Sequence, residues 1–175
     1  MPDLPPARTL LQTAPATTYD RVVLTYDDRL IRRKRLTTVH DEGFLVDRPA
    51  VTNLDDFWGF ELTDGRTIEV IAAEEPLLQI TGPDLPRLCW HIGNRHTPCQ
   101  IEASRLLIRR DHVLEAMLRQ LGADISQVTE PFTPEGGAYG TGRTMGHSHG
   151  PEPEPETFGW HDHGDGQMHF HDPKR

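Results

Sequence analysis

Gly93-Asn94-Arg95-His96-Thr97-Pro98 is the stretch that decides the fold. Before it, Leu85, Leu88, Cys89 and Ile92 recur at i, i+3, i+4 and i+7, the apolar stripe of one helix face. After it, Cys99 to Ala103 reads as a strand. The block is therefore a helix-to-strand connection. Gly93 is expected to end the helix, because glycine takes the left-handed conformation past a helix end without penalty. Pro98 stiffens the chain that follows. His96 stands between them on a loop, where its imidazole can face solvent or a partner. A loop histidine alone is ordinarily just a surface residue; the rest of the chain gives this one a context.

Downstream of the block, Arg105 to Arg109 is a second strand, and Asp111 is a good N-cap for a second helix. Leu114, Met117, Leu118 and Leu121 repeat the apolar stripe, Gly122 closes that helix, and Ile125 to Thr129 is a last strand. Upstream, Pro76 to Ile80 is a strand, and Pro83 and Pro86 suit the first turn of the first helix, where a missing N–H costs little. The order β-α-β-β-α-β predicts a ferredoxin-like domain over residues 74–140, with two helices on one face of a four-stranded antiparallel sheet.

Residues 17–73 have no helical period. Val22–Leu24, Arg35–Val39, Phe44–Val46, Phe57–Leu62 and Thr67–Ile71 read as strands, with turn signals at Asp41-Glu42-Gly43 and Asp64-Gly65. A small all-β domain is expected there. Residues 1–16, rich in Pro and Ala, are expected to be a flexible N-terminus. Residues 141–175 are mostly Gly, Pro, Glu, Asp and His, with too little apolar surface to offset the entropy of ordering, and are expected to be disordered without a ligand. The fold class is α+β, with a His-rich tail.

The 175 residues carry a formal net charge of −9, which argues against nucleic acid and anionic membranes as partners. No apolar run reaches the roughly 18 residues of a membrane span. No secretory signal is visible, and Cys89 and Cys99 read as small buried residues rather than a disulfide, so a cytoplasmic setting is expected. No serine nucleophile elbow, phosphate loop or dinucleotide fingerprint occurs, and an enzyme is not expected.

Histidine is the outlier. Of ten, six follow residue 146: His147, His149, His161, His163, His169 and His171. They form three His-x-His pairs, and in an extended chain both rings of a pair fall on one side and can chelate. Imidazole suits Ni(II), Zn(II) and Cu(II), and the tail has no thiol to favour Cu(I). His112, in the first turn of the second predicted helix, is a further candidate ligand, with Asp111 beside it able to orient the ring. Spacing does not show whether His96 and His112 meet within one chain.

Gly93-Asn94-Arg95-His96-Thr97-Pro98, Asp111-His112-Val113-Leu114, Met117-Leu118-Arg119, the Ala72-Ala73-Glu74-Glu75-Pro76 junction, Pro131-Phe132 through Gly136-Gly137-Ala138-Tyr139-Gly140 and the His-rich end together resemble the UreE family of urease accessory proteins. The resemblance covers residues 17–175. It implies a nickel metallochaperone that is a homodimer. It also implies an N-terminal partner-binding β domain, and work with the accessory GTPase on apo-urease. On that resemblance His96 is the central ligand, shared with a second copy across the dimer interface, and His112 is a peripheral one. Some members carry a second histidine where this chain has Arg110, which cannot ligate. The tail histidines match a metal-collecting end by composition. A nickel or zinc buffer without a client enzyme is the alternative reading.

Overall fold

The computed structural model describes residues 3–136 and the strand residues 160–162 and 168–170. The N-terminal half is built from strands and one short 3-10 turn. They are β1 (Ala7–Leu11), β2 (Asp20–Leu24), β3 (Leu30–Thr37), β4 (Gly43–Asn53), the turn Leu54–Asp56, β5 (Gly59–Leu62) and β6 (Thr67–Ala72). One sheet has the order β1-β5-β6-β2, with β2 parallel to β6 and the other pairs antiparallel. The β3–β4 hairpin is a separate ladder whose Ile31, Leu36, Phe44 and Val46 share one core with Val22, Leu24, Phe60, Leu62 and Ile68. Phe44 and Phe60 meet edge to face across that core at 5.5 Å. Gly59 is required where it stands: a Cβ there would lie 2.1 Å from the Ile68 carbonyl oxygen of the neighbouring strand.

The expectation of a flexible N-terminus over residues 1–16 is corrected. β1 pairs with β5, the Leu4 N–H donates to the Gly43 carbonyl, and Leu4 is buried. A proline-rich start conceals a strand because prolines flank Ala7–Leu11 without interrupting it.

The next segment contains β7 (Glu74–Thr81), α1 (Leu85–Gly93), β8 (Gln100–Ile101), β9 (Leu106–Arg109), α2 (His112–Gln120) and β10 (Asp124–Pro131). The sheet order is β10-β7-β9-β8, antiparallel throughout. Leu78, Ile80, Leu106 and Ile108 face the helices and pack on Leu88, Ile92, Leu114 and Leu118. Leu77 and Leu107 point to the other face, where Phe132 and Tyr26 cover them. This accounts for the unbroken apolar run Leu106-Leu107-Ile108, since a strand covered on both faces has no polar side.

Tyr26 comes from the N-terminal half, and polar bonds lock it in place. Its N–H donates to the Glu75 carboxylate at 2.6 Å, and its ring meets Phe132 edge to face at 5.4 Å. Arg29, 2% exposed, pairs with Asp55 and donates to the carbonyls of Leu24 and Phe132. A buried guanidinium is tolerable only when its donors are satisfied in this way.

Within the tail, β11 (Trp160–Asp162) and β12 (Met168–Phe170) form an antiparallel two-stranded ladder. The expectation of disorder over 141–175 otherwise falls outside the described residues.

Candidate metal centre

The apolar stripe of α1 works as its spacing requires: Leu88 and Ile92 are buried, and Asp84 caps the helix by accepting from the Arg87 N–H at 3.2 Å. Its far end departs from expectation. Gly93 remains helical and Asn94 follows in right-handed geometry. The helix tightens through bonds from the Arg95 N–H to the Ile92 carbonyl and from the His96 N–H to the Gly93 carbonyl. The left-handed residue is His96 itself, at φ 55°. Histidine in that region is uncommon, and the conformation costs on the order of 1–2 kcal/mol relative to right-handed backbone.

The chain then turns through Thr97 and Pro98 to buried Cys99. A strap from Phe132 to Gly136 runs alongside. The Glu135 N–H donates to the Cys99 carbonyl at 2.9 Å, and the Gln100 side-chain oxygen accepts from the Thr133 N–H at 2.8 Å. His96 is exposed and lines a groove of about 870 Å³. Cys89, Cys99 and Glu135 line the same groove, as do Tyr26, Arg29, Asp55 and Asp56. The strap therefore lines the groove that holds His96 through Thr133, Pro134, Glu135 and Gly136.

His112 lies elsewhere. It opens α2 on a second hollow of about 420 Å³, with Arg110, Asp111 and Glu115. The structure does not bring it to His96. Nor does Asp111 orient the ring: its Oδ1 accepts from the Val113 and Leu114 N–H groups at 2.8 and 3.0 Å, so it serves the helix cap. Of the tail histidines, His161 and His169 are direct register partners on β11 and β12. His147, His149, His163 and His171 lie outside the described residues.

Among the described residues no three His, Cys, Asp or Glu side chains converge to hold an ion. Cys99 is ill suited to help, because burial above all, with Cys89 adding to it, pushes its thiol up to about 12. Imidazole remains the chemically fitting donor at the groove. The joint made by Tyr26, Arg29 and Phe132, two of which line the groove, carries no sequence signal: Arg29 and Phe132 lie 103 residues apart.

Two family descriptions account for nearly all of the chain. Residues 4–73 match the N-terminal domain of UreE urease accessory protein, and residues 75–171 match its C-terminal domain. The chain belongs to the UreE family. The urease accessory protein UreE of Ruegeria pomeroyi is 62% identical over 148 residues, covering 84% of this chain and 99% of that protein. Its counterpart in Cereibacter sphaeroides is 61% identical over 155 residues, covering 86% and 84%. The Paracoccus denitrificans protein is 56% identical over 141 residues, covering 81% and 90%.

Proposed function

We propose that this chain is a metallochaperone that collects Ni(II) and delivers it to apo-urease during maturation, in company with the accessory GTPase. The observation that carries the reading is the state of His96: exposed, in a left-handed turn at φ 55°, and lining the groove that Cys89, Cys99 and Glu135 also line. In this reading His96 is half of a site. A twofold-related copy would supply the second imidazole, and the 64% exposed Trp90 on α1 gives that copy apolar surface to cover.

In this reading the β half, through residue 73, docks protein partners. Residues 74–140 form a ferredoxin-like metal domain, a reading supported by the alternating strand directions and the two helices on one face. Residues 141–175 gather the ion. Delivery requires exchange rather than burial. Tail imidazoles capture the ion, the paired His96 residues hold it with open positions, and a partner's ligands displace them. His112 is a peripheral ligand. Zn(II) and Cu(II) suit the same donors, and Cu(II) binds N/O sites more tightly than Ni(II). Selectivity therefore comes from docking to the right partner, and the setting is cytoplasmic. Among the described residues no helix is long and apolar enough to cross a membrane.

The test is native mass spectrometry of the full chain and of a chain lacking residues 144–175, with nickel. Truncation is expected to lower the number of ions per dimer and leave one. A truncated chain that is monomeric, or binds none, defeats the shared site. Association with the GTPase that nickel does not strengthen would favour a buffer without a client.

A further inference from the structure

β3 carries four consecutive exposed cations, Arg32, Arg33, Lys34 and Arg35, in a chain whose formal net charge is −9. Strand alternation turns Leu36, Phe44 and Val46 into the core and leaves Arg33, Arg35, Leu45 and Asp47 on the outer face of the β3–β4 ladder. The ladder then breaks step. Ile31 pairs with Thr52 and Arg33 with Asp47, so Arg48, Pro49, Ala50 and Val51 form a bulge opposite Arg32 alone. Two cations of the run are answered within the chain: Lys34 meets Asp28 at 2.5 Å, and Arg35 meets Asp3. Those beside the bulge are not. Arg33 reaches Asp47 only at 3.6 Å, with both side chains more than half exposed, and such a pair is worth little. Among the described residues no carboxylate pairs with Arg32 or Arg48, and the Arg48 Nε is buried without an acceptor. The same hairpin exposes Val51 to 60% and Leu45 to 36%, so apolar and cationic groups share one surface.

We infer that this bulged face is where the β half docks a protein segment whose carboxylates are interleaved with apolar side chains. The inference rests on the reading of the β half as the partner-binding domain. Guanidinium groups with no carboxylate of their own chain take one from outside, bidentately where the approach allows. The exposed valine and leucine suit the apolar side chains of a protein partner, which a phosphate backbone lacks. The net charge decides against nucleic acid as well. Beyond a Debye length of about 10 Å the chain as a whole repels a long polyanion, whereas a short acidic segment meets only the local positive patch.

The probe is a short fluorescent peptide of alternating glutamate and leucine, titrated into the full-length protein and followed by anisotropy. Its glutamine twin and an oligothymidylate of equal charge are run beside it. The glutamate peptide is expected to bind, more weakly as salt is raised, and the other two to bind far less. Arg32→Ser with Arg33→Ser is expected to weaken binding roughly tenfold, about threefold per lost cation. Arg87→Ser with Arg119→Ser removes as many exposed cations from the two helices and is expected to change it by less than about twofold. Should the first double variant misfold, Val51→Asp, which puts a carboxylate on the bulge, is expected to weaken binding comparably. No binding of the glutamate peptide, or equally tight binding of the twin or the oligothymidylate, overturns the acidic protein segment as occupant. Equal losses in the two double variants show net charge alone at work and overturn the bulge. A photo-crosslinking form of the peptide is expected to attach within residues 32–35 or 45–51. Attachment elsewhere before residue 74 overturns the bulge and leaves the β half as the docking domain. Attachment beyond residue 73 defeats that reading of the β half itself.

Discussion

The two helices end differently. α1 and α2 are each nine residues long, each capped by an aspartate and each packed through an apolar stripe. α2 stops as a helix with no other duty stops. Gly122 takes the left-handed turn at φ 88°, and the Ala123 and Gly122 N–H groups return to the Leu118 and Arg119 carbonyls. α1 also has a glycine at its end, yet Gly93 stays helical and His96 takes the left-handed position. The glycine takes the left-handed turn at the end of α2, and at the end of α1 the proposed ligand His96 takes it. Strain held by the surrounding turn at a functional residue is a recurring device.

The sharpest way to break this comparison is to remove the ring. His96→Ala in the chain lacking residues 144–175 is expected to lose the remaining nickel ion while circular dichroism stays unchanged, because an exposed loop imidazole contributes little packing. Loss of the fold instead would make His96 structural. The next effect is at the other helix: Gly122→Ala is expected to destabilise by about 1–2 kcal/mol in urea unfolding, since alanine must adopt the left-handed backbone. Gly93→Ala should act oppositely and more weakly, stabilising by about 0.5–1 kcal/mol. Its backbone is helical and a Cβ there meets nothing within 4 Å. If both glycine variants destabilised alike, the contrast between the helix ends would be wrong.

The smallest effect lies outside both helices, at buried Asp20. Burial alone would raise its carboxyl, but hydrogen bonds from Thr38, the Arg21 N–H and His40 outweigh it and hold the group below its ordinary 3.8. A group depressed in the folded state stabilises above its unfolded value, and that contribution is lost as pH falls through the folded value. Asp20→Asn is therefore expected to flatten the decline of stability with acid below about pH 4, read by urea midpoints. An unchanged acid slope would show that the carboxylate is not held as described.

Several elements were legible because they depend on neighbours in sequence. The stripe Leu85, Leu88, Cys89, Ile92 gave α1, and Asp111 with Gly122 gave both ends of α2. Asp64-Gly65 marked the β5–β6 turn, with Gly65 at φ 87°. The strand at Ala7–Leu11 was hidden by flanking prolines, and the parallel pairing of β2 with β6 leaves no local trace. The fourth residue of the His96 block, not its first, took the left-handed turn, because local preference for glycine yields to the tertiary path from Ile92 to Cys99.

By itself the sequence determined both helices, most of the strands and the family, since periodicity and capping residues act within a few residues of themselves. Only the tertiary structure decided which candidates share a place. It separated His112 from His96, spent Asp111 on a helix cap, and seated the strap beside Cys99. It also locked Tyr26 and Arg29 under Phe132. Those outcomes depend on burial and on hydrogen bonds between residues distant in the chain, which no local pattern encodes.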